Sequence, residues 1–221
     1  MDKEIIYIAD PMCSWCWGFA PVAAKLKQEF AQVAGFRLIL GGLRPGDRAQ
    51  AMDQGMARML ESHWRRVAQQ TGQPINYEFL KRENFVFDTE PASRAVVSVR
   101  RLAPDLVFEF FTSLEHAFYV DNVDITREES YAPLLAKYRI DRARFTELFN
   151  DQEVLRETYR DFDNARCLGA QGFPTVALRK GRAVGLLTIG YQPYESLVPA
   201  VRHHFDVAAE EQDTGARQGH G

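Results

Sequence analysis

The hydrophobic period of this chain changes twice along its length, and that change limits the possible folds more than any other feature. Glu4 to Ala9 (EIIYIA) is a short β-rich run, Val22 to Ala34 places apolar residues at helical spacing, and Phe36 to Leu40 (FRLIL) is a second strand. With Gly35 read as the end of the helix and Gly41-Gly42 as the stop of the strand, the N-terminal segment predicts β-α-β with a right-handed crossover. Near the other end, Thr175 to Leu178 and Val184 to Ile189 are apolar runs joined by Arg179-Lys180-Gly181-Arg182, a hairpin signature. A closing helix is expected from about Tyr194 to Phe205, so this half predicts β-β-α.

The stretch between the two halves reads as helix throughout. Met52, Met56, Met59, Leu60, Trp64 and Val67 form one stripe, Val107, Phe110, Phe111, Leu114 and Phe118 a second, and Leu155, Tyr159 and Phe162 begin a third. Stripes of this kind are far more often core than a cofactor box, so helices sharing one core are expected here. The chain then divides into residues 1–43 and 166–206 as one α/β domain, 44–165 as an all-helical insertion, and 207–221 as a polar tail without a stripe to bury, expected to be disordered.

Composition removes several function classes. With 221 residues, 46% of them hydrophobic, the chain can bury a full core. Its 27 basic and 30 acidic residues give a net charge of −3 with no long basic run, so no nucleic-acid partner is expected. Each strong apolar run is broken by charges well short of the roughly 20 residues that span a bilayer, so no membrane partner is expected either. Met1-Asp2-Lys3-Glu4 leads straight into the first strand without a basic or apolar leader, which predicts a cytoplasmic setting. Three cysteines do not make a disulfide scaffold, and in a reducing compartment a closely spaced pair points to catalysis or metal binding.

That pair is Cys13-Ser14-Trp15-Cys16, placed after the first strand and at the start of the following helix. Unpaired N–H groups and the dipole at a helix N-terminus stabilise a thiolate, so a redox dithiol is the expected chemistry. The edge beyond the C-terminal ends of the strands is also where open α/β sheets place their sites. A zinc site would need two further ligands; no second C-x-x-C exists and no histidine is spaced to help, so no metal is expected.

The order of elements, with C-x-x-C at the first strand-to-helix junction, is that of a thioredoxin-like α/β fold interrupted by helices. Asp10-Pro11-Met12-Cys13-Ser14-Trp15-Cys16-Trp17-Gly18, Pro21, and Gly172-Phe173-Pro174-Thr175 before the third strand carry a resemblance to the DsbA family of thiol-disulfide oxidoreductases, in its cytoplasmic, FrnE-like branch. The resemblance implies that Cys13 attacks with an exposed sulfur and Cys16, one turn on, faces the interior and resolves. It implies a cis Phe173-Pro174 bond, with the Phe173 backbone pairing to an extended substrate beside the sulfurs. Ser14 and Trp15 tune the site; Trp15 either offers an aromatic face to a client or packs over the active-site helix.

The expected partners are a thiol- or disulfide-containing protein or peptide and a reductant such as glutathione or a thioredoxin system, with no bound cofactor beyond the dithiol itself. Two departures from the family pattern stand out. The buried acid common six residues before the first cysteine is here Tyr7, leaving Asp10 to handle protons or merely to shape the turn before Pro11. Cys167 is additional, and is expected to be a small buried hydrophobe. Relatives of the same layout include 2-hydroxychromene-2-carboxylate isomerase and kappa-class glutathione transferases, so a glutathione-dependent reaction on a small molecule is the alternative activity. A non-catalytic peptide-binding or chaperone module, using a groove around Trp15, Trp17 and Phe173, is a third reading.

Overall fold

In chain order, the elements of the computed structural model begin with β1 (Lys3–Ala9), α1 (Ser14–Glu29) and β2 (Gly35–Leu40). They continue with β3 (Gln50–Ala51), α2 (Gln54–Thr71), β4 (Val86–Phe87), α3 (Glu90–Leu102), α4 (Val107–Tyr119), α5 (Ala132–Lys137), α6 (Arg142–Phe149) and α7 (Gln152–Cys167). The chain closes with β5 (Thr175–Lys180), β6 (Ala183–Ile189) and α8 (Tyr194–Phe205). The structure describes residues 2–207, so the polar tail expected over 207–221 lies, apart from Val207, outside the described residues.

Four strands form one sheet in the order β2-β1-β5-β6. The uninterrupted apolar run of β1 suits its central place: it pairs in parallel with β2 and antiparallel with β5, and Ile5 to Ala9 are all buried. β6 adds antiparallel to β5 at one edge, through a turn in which Gly181 takes φ 61°. This is the thioredoxin-like α/β fold expected, with its additional helices lying between β2 and β5. In the β1–β5 register Ile8 faces Thr175, so the turn that follows β1 and the loop that precedes β5 meet at one end of the sheet.

Three expectations about elements need correction. α1 stops at Glu29 rather than at Gly35. Phe30 is buried at the C-cap, the N–H groups of Val33 and Ala34 both return to its carbonyl at 2.9 Å, and Gly35 opens β2. The middle of the chain is also not helical throughout, because β3 and β4 pair antiparallel, extended by Met52 N–H donating to the Phe85 carbonyl at 2.7 Å. Two-residue strands are too short to show an alternating pattern.

The third correction concerns the stripes. α4 buries Val107, Phe110, Phe111, Leu114 and Phe118 as expected, and α2 buries Met56, Leu60, Trp64 and Val67. Met52, however, precedes α2, whose N-cap is Asp53, and Met59 is exposed. α7 turns Val154, Thr158, Asp161, Phe162 and Ala165 inward, leaving Tyr159 exposed and Leu155 half-buried. Two members of that face are polar, so an apolar stripe places it about one residue off. Thr158 donates to the Val154 carbonyl at 2.8 Å. Asp161 accepts Leu40 N–H at 3.0 Å and an Arg100 guanidinium nitrogen at 2.6 Å, and that nitrogen also reaches the Leu38 carbonyl at 3.2 Å. The outer edge of β2 is thereby covered by two side chains of the inserted helices, which blocks further strand pairing there.

Candidate redox site

The site is built where α1 begins. Cys13 is the N-cap residue, with extended backbone (φ −91°, ψ 114°), and its carbonyl accepts the N–H groups of Cys16 at 2.9 Å and Trp17 at 3.1 Å. Its sulfur therefore stands at the open N-terminal turn, where unpaired N–H groups and the helix dipole favour negative charge. Pro21, inside α1, has no N–H to give to the Trp17 carbonyl. Gln73 supplies the missing donor through Nε2 at 3.0 Å, and the Trp17 indole N–H donates to the Pro74 carbonyl at 2.9 Å. The segment after α2 thus clamps the first turns of the cysteine-bearing helix, a role that nothing in the sequence of Gln73 signals.

Both cysteines are free, and Cys16 is wholly buried, facing the interior as expected. Burial first, then the hydrogen bond and charge of Cys13 and the charge of Glu115, push the Cys16 thiol well above the usual thiol range. The expectation of an exposed Cys13 sulfur is corrected: the residue is only 7% exposed. Its thiol donates to the Phe173 carbonyl at 3.6 Å, so the loop before β5 lies over it.

That loop is held on three sides. The Phe173–Pro174 bond is cis, the Pro174 carbonyl accepts Gly190 N–H at 2.7 Å, and the buried Thr175 hydroxyl donates to the Gly172 carbonyl at 2.7 Å. The Phe173 ring lies against Gly41 so closely that a Cβ there would come within 2.2 Å of it, which explains a glycine at this position. No partner for the Phe173 N–H is found among the described residues. Trp15, half-buried, packs its ring 6.0 Å from that of Tyr191, and with Gln70, Phe173, Gly190 and Tyr191 lines a groove of about 220 Å³. Ser14 is half-buried.

Asp10 is fully buried with both carboxylate oxygens engaged: Oδ1 accepts Met12 N–H at 2.9 Å and Oδ2 accepts Leu43 N–H at 2.7 Å. Burial pushes its pKa up to about 6 against the pull of those donors. Its carbonyl accepts Cys13 N–H at 3.0 Å, so Asp10 ties the turn after β1 both to α1 and to the loop after β2.

Tyr7, six residues before Cys13, is buried beneath the site among the rings of Phe19, Phe36, Phe108 and Phe111. A carboxyl comes instead from α4. Glu115 is fully buried, and neither of its oxygens has a partner among the described residues. Burial, followed by the charges of Cys13 and Asp10, raises its pKa well above the carboxylate range. The signal that could have found it is a glutamate between Leu114 and Phe118 on an otherwise apolar face.

Cys167, expected to be buried, is exposed. It lies two residues past Ala165, the last inward position of α7, and so about 200° round the helix from it. Among the described residues no three or more His, Cys, Asp or Glu side chains are grouped to hold a metal ion, and no helix is long and apolar enough to cross a membrane.

The architecture has close counterparts. A protein from Nitrosomonas europaea, assigned provisionally as a protein disulfide isomerase, is 34% identical and superposes with a TM-score of 0.87 over 95% of this chain and 100% of its own. The cytosolic disulfide reductase DsbM from Pseudomonas aeruginosa is 26% identical with a TM-score of 0.74, covering 93% of this chain and 100% of its own, and has also been solved with GSH. The ClpXP adapter protein SpxH of Halalkalibacterium halodurans is 21% identical over 200 residues; they make up 88% of this chain but span only 65% of that relative's length. A model of the DSBA-like thioredoxin domain matches residues 4–202, and with the sheet, the cysteine-bearing helix and the cis-proline loop arranged as described, the chain belongs to that family.

Proposed function

We propose that this protein is a thiol-disulfide oxidoreductase acting on protein or peptide clients through Cys13 and Cys16, with glutathione as its reductant. The observation that carries the reading is the Cys13 thiol at 3.6 Å from the Phe173 carbonyl, one turn from a buried second thiol and beside an unpartnered Phe173 N–H. An extended client can pair its backbone with Phe173 while its side chains occupy the groove beside Trp15 and Tyr191, which would bring its disulfide to Cys13.

The Cys13 thiolate attacks one client sulfur, forming a Cys13–client disulfide and expelling the other client sulfur as a thiolate. Cys16, deprotonated, then attacks the Cys13 sulfur. The Cys13–Cys16 bond forms, the Cys13–client bond breaks, and the second client sulfur leaves with the electron pair. The client disulfide has gained two electrons and the enzyme dithiol has lost two. Two glutathione thiols restore the dithiol and become glutathione disulfide. In a cytosol poised near about −220 to −320 mV this direction is reduction or isomerisation rather than oxidation. The 26% identity to a cytosolic disulfide reductase that has been solved with GSH supports both the direction and the reductant.

Trapping tests the reading. The Cys16→Ser variant should accumulate a mixed disulfide at Cys13 with glutathione or a disulfide peptide, seen as an added mass in intact-protein spectra, while Cys13→Ser should accumulate none. Absence of adduct in Cys16→Ser would leave a binding module or a non-redox reaction in its place.

A further inference from the structure

We infer that Glu115, carried on α4, exchanges a proton with the Cys16 thiol when the Cys13–client disulfide is resolved. The inference rests on the dithiol-exchange reading and adds a residue from outside the two segments that hold the cysteines and the cis-proline. Cys16 must lose its proton before its sulfur can attack, since the thiolate is the nucleophile. The residue is wholly buried, so a neighbouring side chain is needed to receive that proton.

One face of α4 lies over β1 and α1. Phe108 and Phe111 pack on the Tyr7 ring at 6.4 and 6.1 Å, and Tyr119 stacks on Trp17, the residue after Cys16, at 6.2 Å and 9°. Glu115 follows Phe111 by one turn and precedes Tyr119 by one turn, so it lies between the Tyr7 and Trp17 contacts of that face, within electrostatic reach of Cys16. Both its oxygens are buried without a partner among the described residues, as is the hydroxyl of Tyr119, while the Tyr7 hydroxyl lies against the Cys16 thiol. An unpartnered buried carboxyl is costly, and one set in a cluster of such oxygens beside a thiol has the character of a functional group.

The titratable groups facing Glu115 are Tyr7 from β1, Asp10 from the turn that follows it, Cys13 and Cys16 from α1, and Tyr119 from its own helix. Among these, Asp10 has both oxygens engaged by backbone N–H groups. The two tyrosines are intrinsically far weaker acids than a carboxyl and are pushed further up by the same burial, so they hold their protons too tightly to serve as bases. Glu115 is the remaining acceptor. After burial, the charge at Cys13 is the largest influence keeping a proton on Glu115. Bonding Cys13 to a client removes that charge, and Glu115 gives its proton to the expelled client thiolate, so that the carboxylate is present when a base is needed. Cys16 then gives its proton to Glu115 as its sulfur closes the Cys13–Cys16 bond and the client thiolate departs. When glutathione thiolate opens that bond at Cys13, Cys16 leaves as thiolate and recovers the proton from Glu115.

Rapid mixing with a disulfide peptide separates the two steps. In Glu115→Gln, formation of the Cys13 adduct, read in the Cys16→Ser background, should stay within about threefold, while resolution with Cys16 present should slow by about 100-fold, the low end for general acid–base catalysis. Glu115→Asp should recover part of that loss. Resolution at the unaltered rate, or equal slowing of both steps, would overturn the assignment; failure of the Cys13 adduct to form at all would instead overturn the dithiol reading. Should Glu115→Gln not fold, infrared difference spectra with carbon-13 glutamate provide the second test, read between the dithiol form and the Cys13 mixed disulfide trapped in Cys16→Ser. A labelled carboxylic-acid band should be lost on forming the mixed disulfide, and an unchanged band would refute the role.

Discussion

At the scale of single residues, the site combines groups that sequence placed correctly with others that only packing reveals. Cys13, Cys16 and Pro174 are marked by their neighbours along the chain, and the structure brings them together. Asp10 was legible as a residue of the turn, but its full burial depends on Leu43, thirty-three positions away. That burial has a consequence for stability. The folded pKa of about 6 lies above the ordinary 3.8, so Asp10's contribution is fully present below pH 3.8 and is lost as pH rises through about 6. The loss amounts to about 3 kcal/mol at most. Urea unfolding at a series of pH values should therefore show stability falling more steeply between about pH 4 and 6.5 in the wild type than in Asp10→Asn; parallel curves would show that Asp10 does not titrate as described. Cys167 illustrates the opposite case. Its buried reading followed the habit of the residue type, whereas its actual exposure follows from the angular position of α7's inward face.

At the scale of elements, strands and their order were the most legible, because runs such as EIIYIA and the Arg179–Arg182 turn are local signals. Helix faces were less so wherever a polar residue points inward. The inward face of α7 contains Asp161, whose partners Arg100 and Leu40 come from α3 and β2. Replacing Asp161 by alanine would leave the Leu40 N–H without its acceptor and the partly buried Arg100 guanidinium with only the Leu38 carbonyl and the more distant Glu157 carboxylate. The expected cost is about 3 kcal/mol, the low end for breaking a buried pair, because Arg100 keeps some solvent contact. Chemical denaturation of Asp161→Ala checks this, and a loss below about 1 kcal/mol would place the pair among ordinary surface ion pairs. The two-residue strands β3 and β4 escaped notice because no period can be read from so few residues.

At the scale of the whole molecule, the segment between β2 and β5 contributes directly to the redox end of the sheet. Gln73 and Pro74 hold the first turns of α1, Gln70 lines the groove beside Trp15, and Glu115 lies near enough to Cys16 to help raise its thiol pKa. Of these only Glu115 leaves a trace in the sequence, as a carboxylate on an apolar face, and the place of each depends on helices folding back over the sheet; the cysteine motif announces itself locally, and the cis-proline loop through the family resemblance. The account as a whole rests on Cys13 and Cys16 forming one reversible two-electron couple. Equilibrating the protein in glutathione buffers of graded potential, alkylating the free thiols and weighing the intact protein tests this directly. The account predicts a single transition in which two thiols disappear together without a glutathione adduct, at a potential close to that of the cytosolic glutathione pool, about −220 to −320 mV. Independent titration of the two thiols, or stable glutathionylation of Cys13 with Cys16 left free, would contradict it.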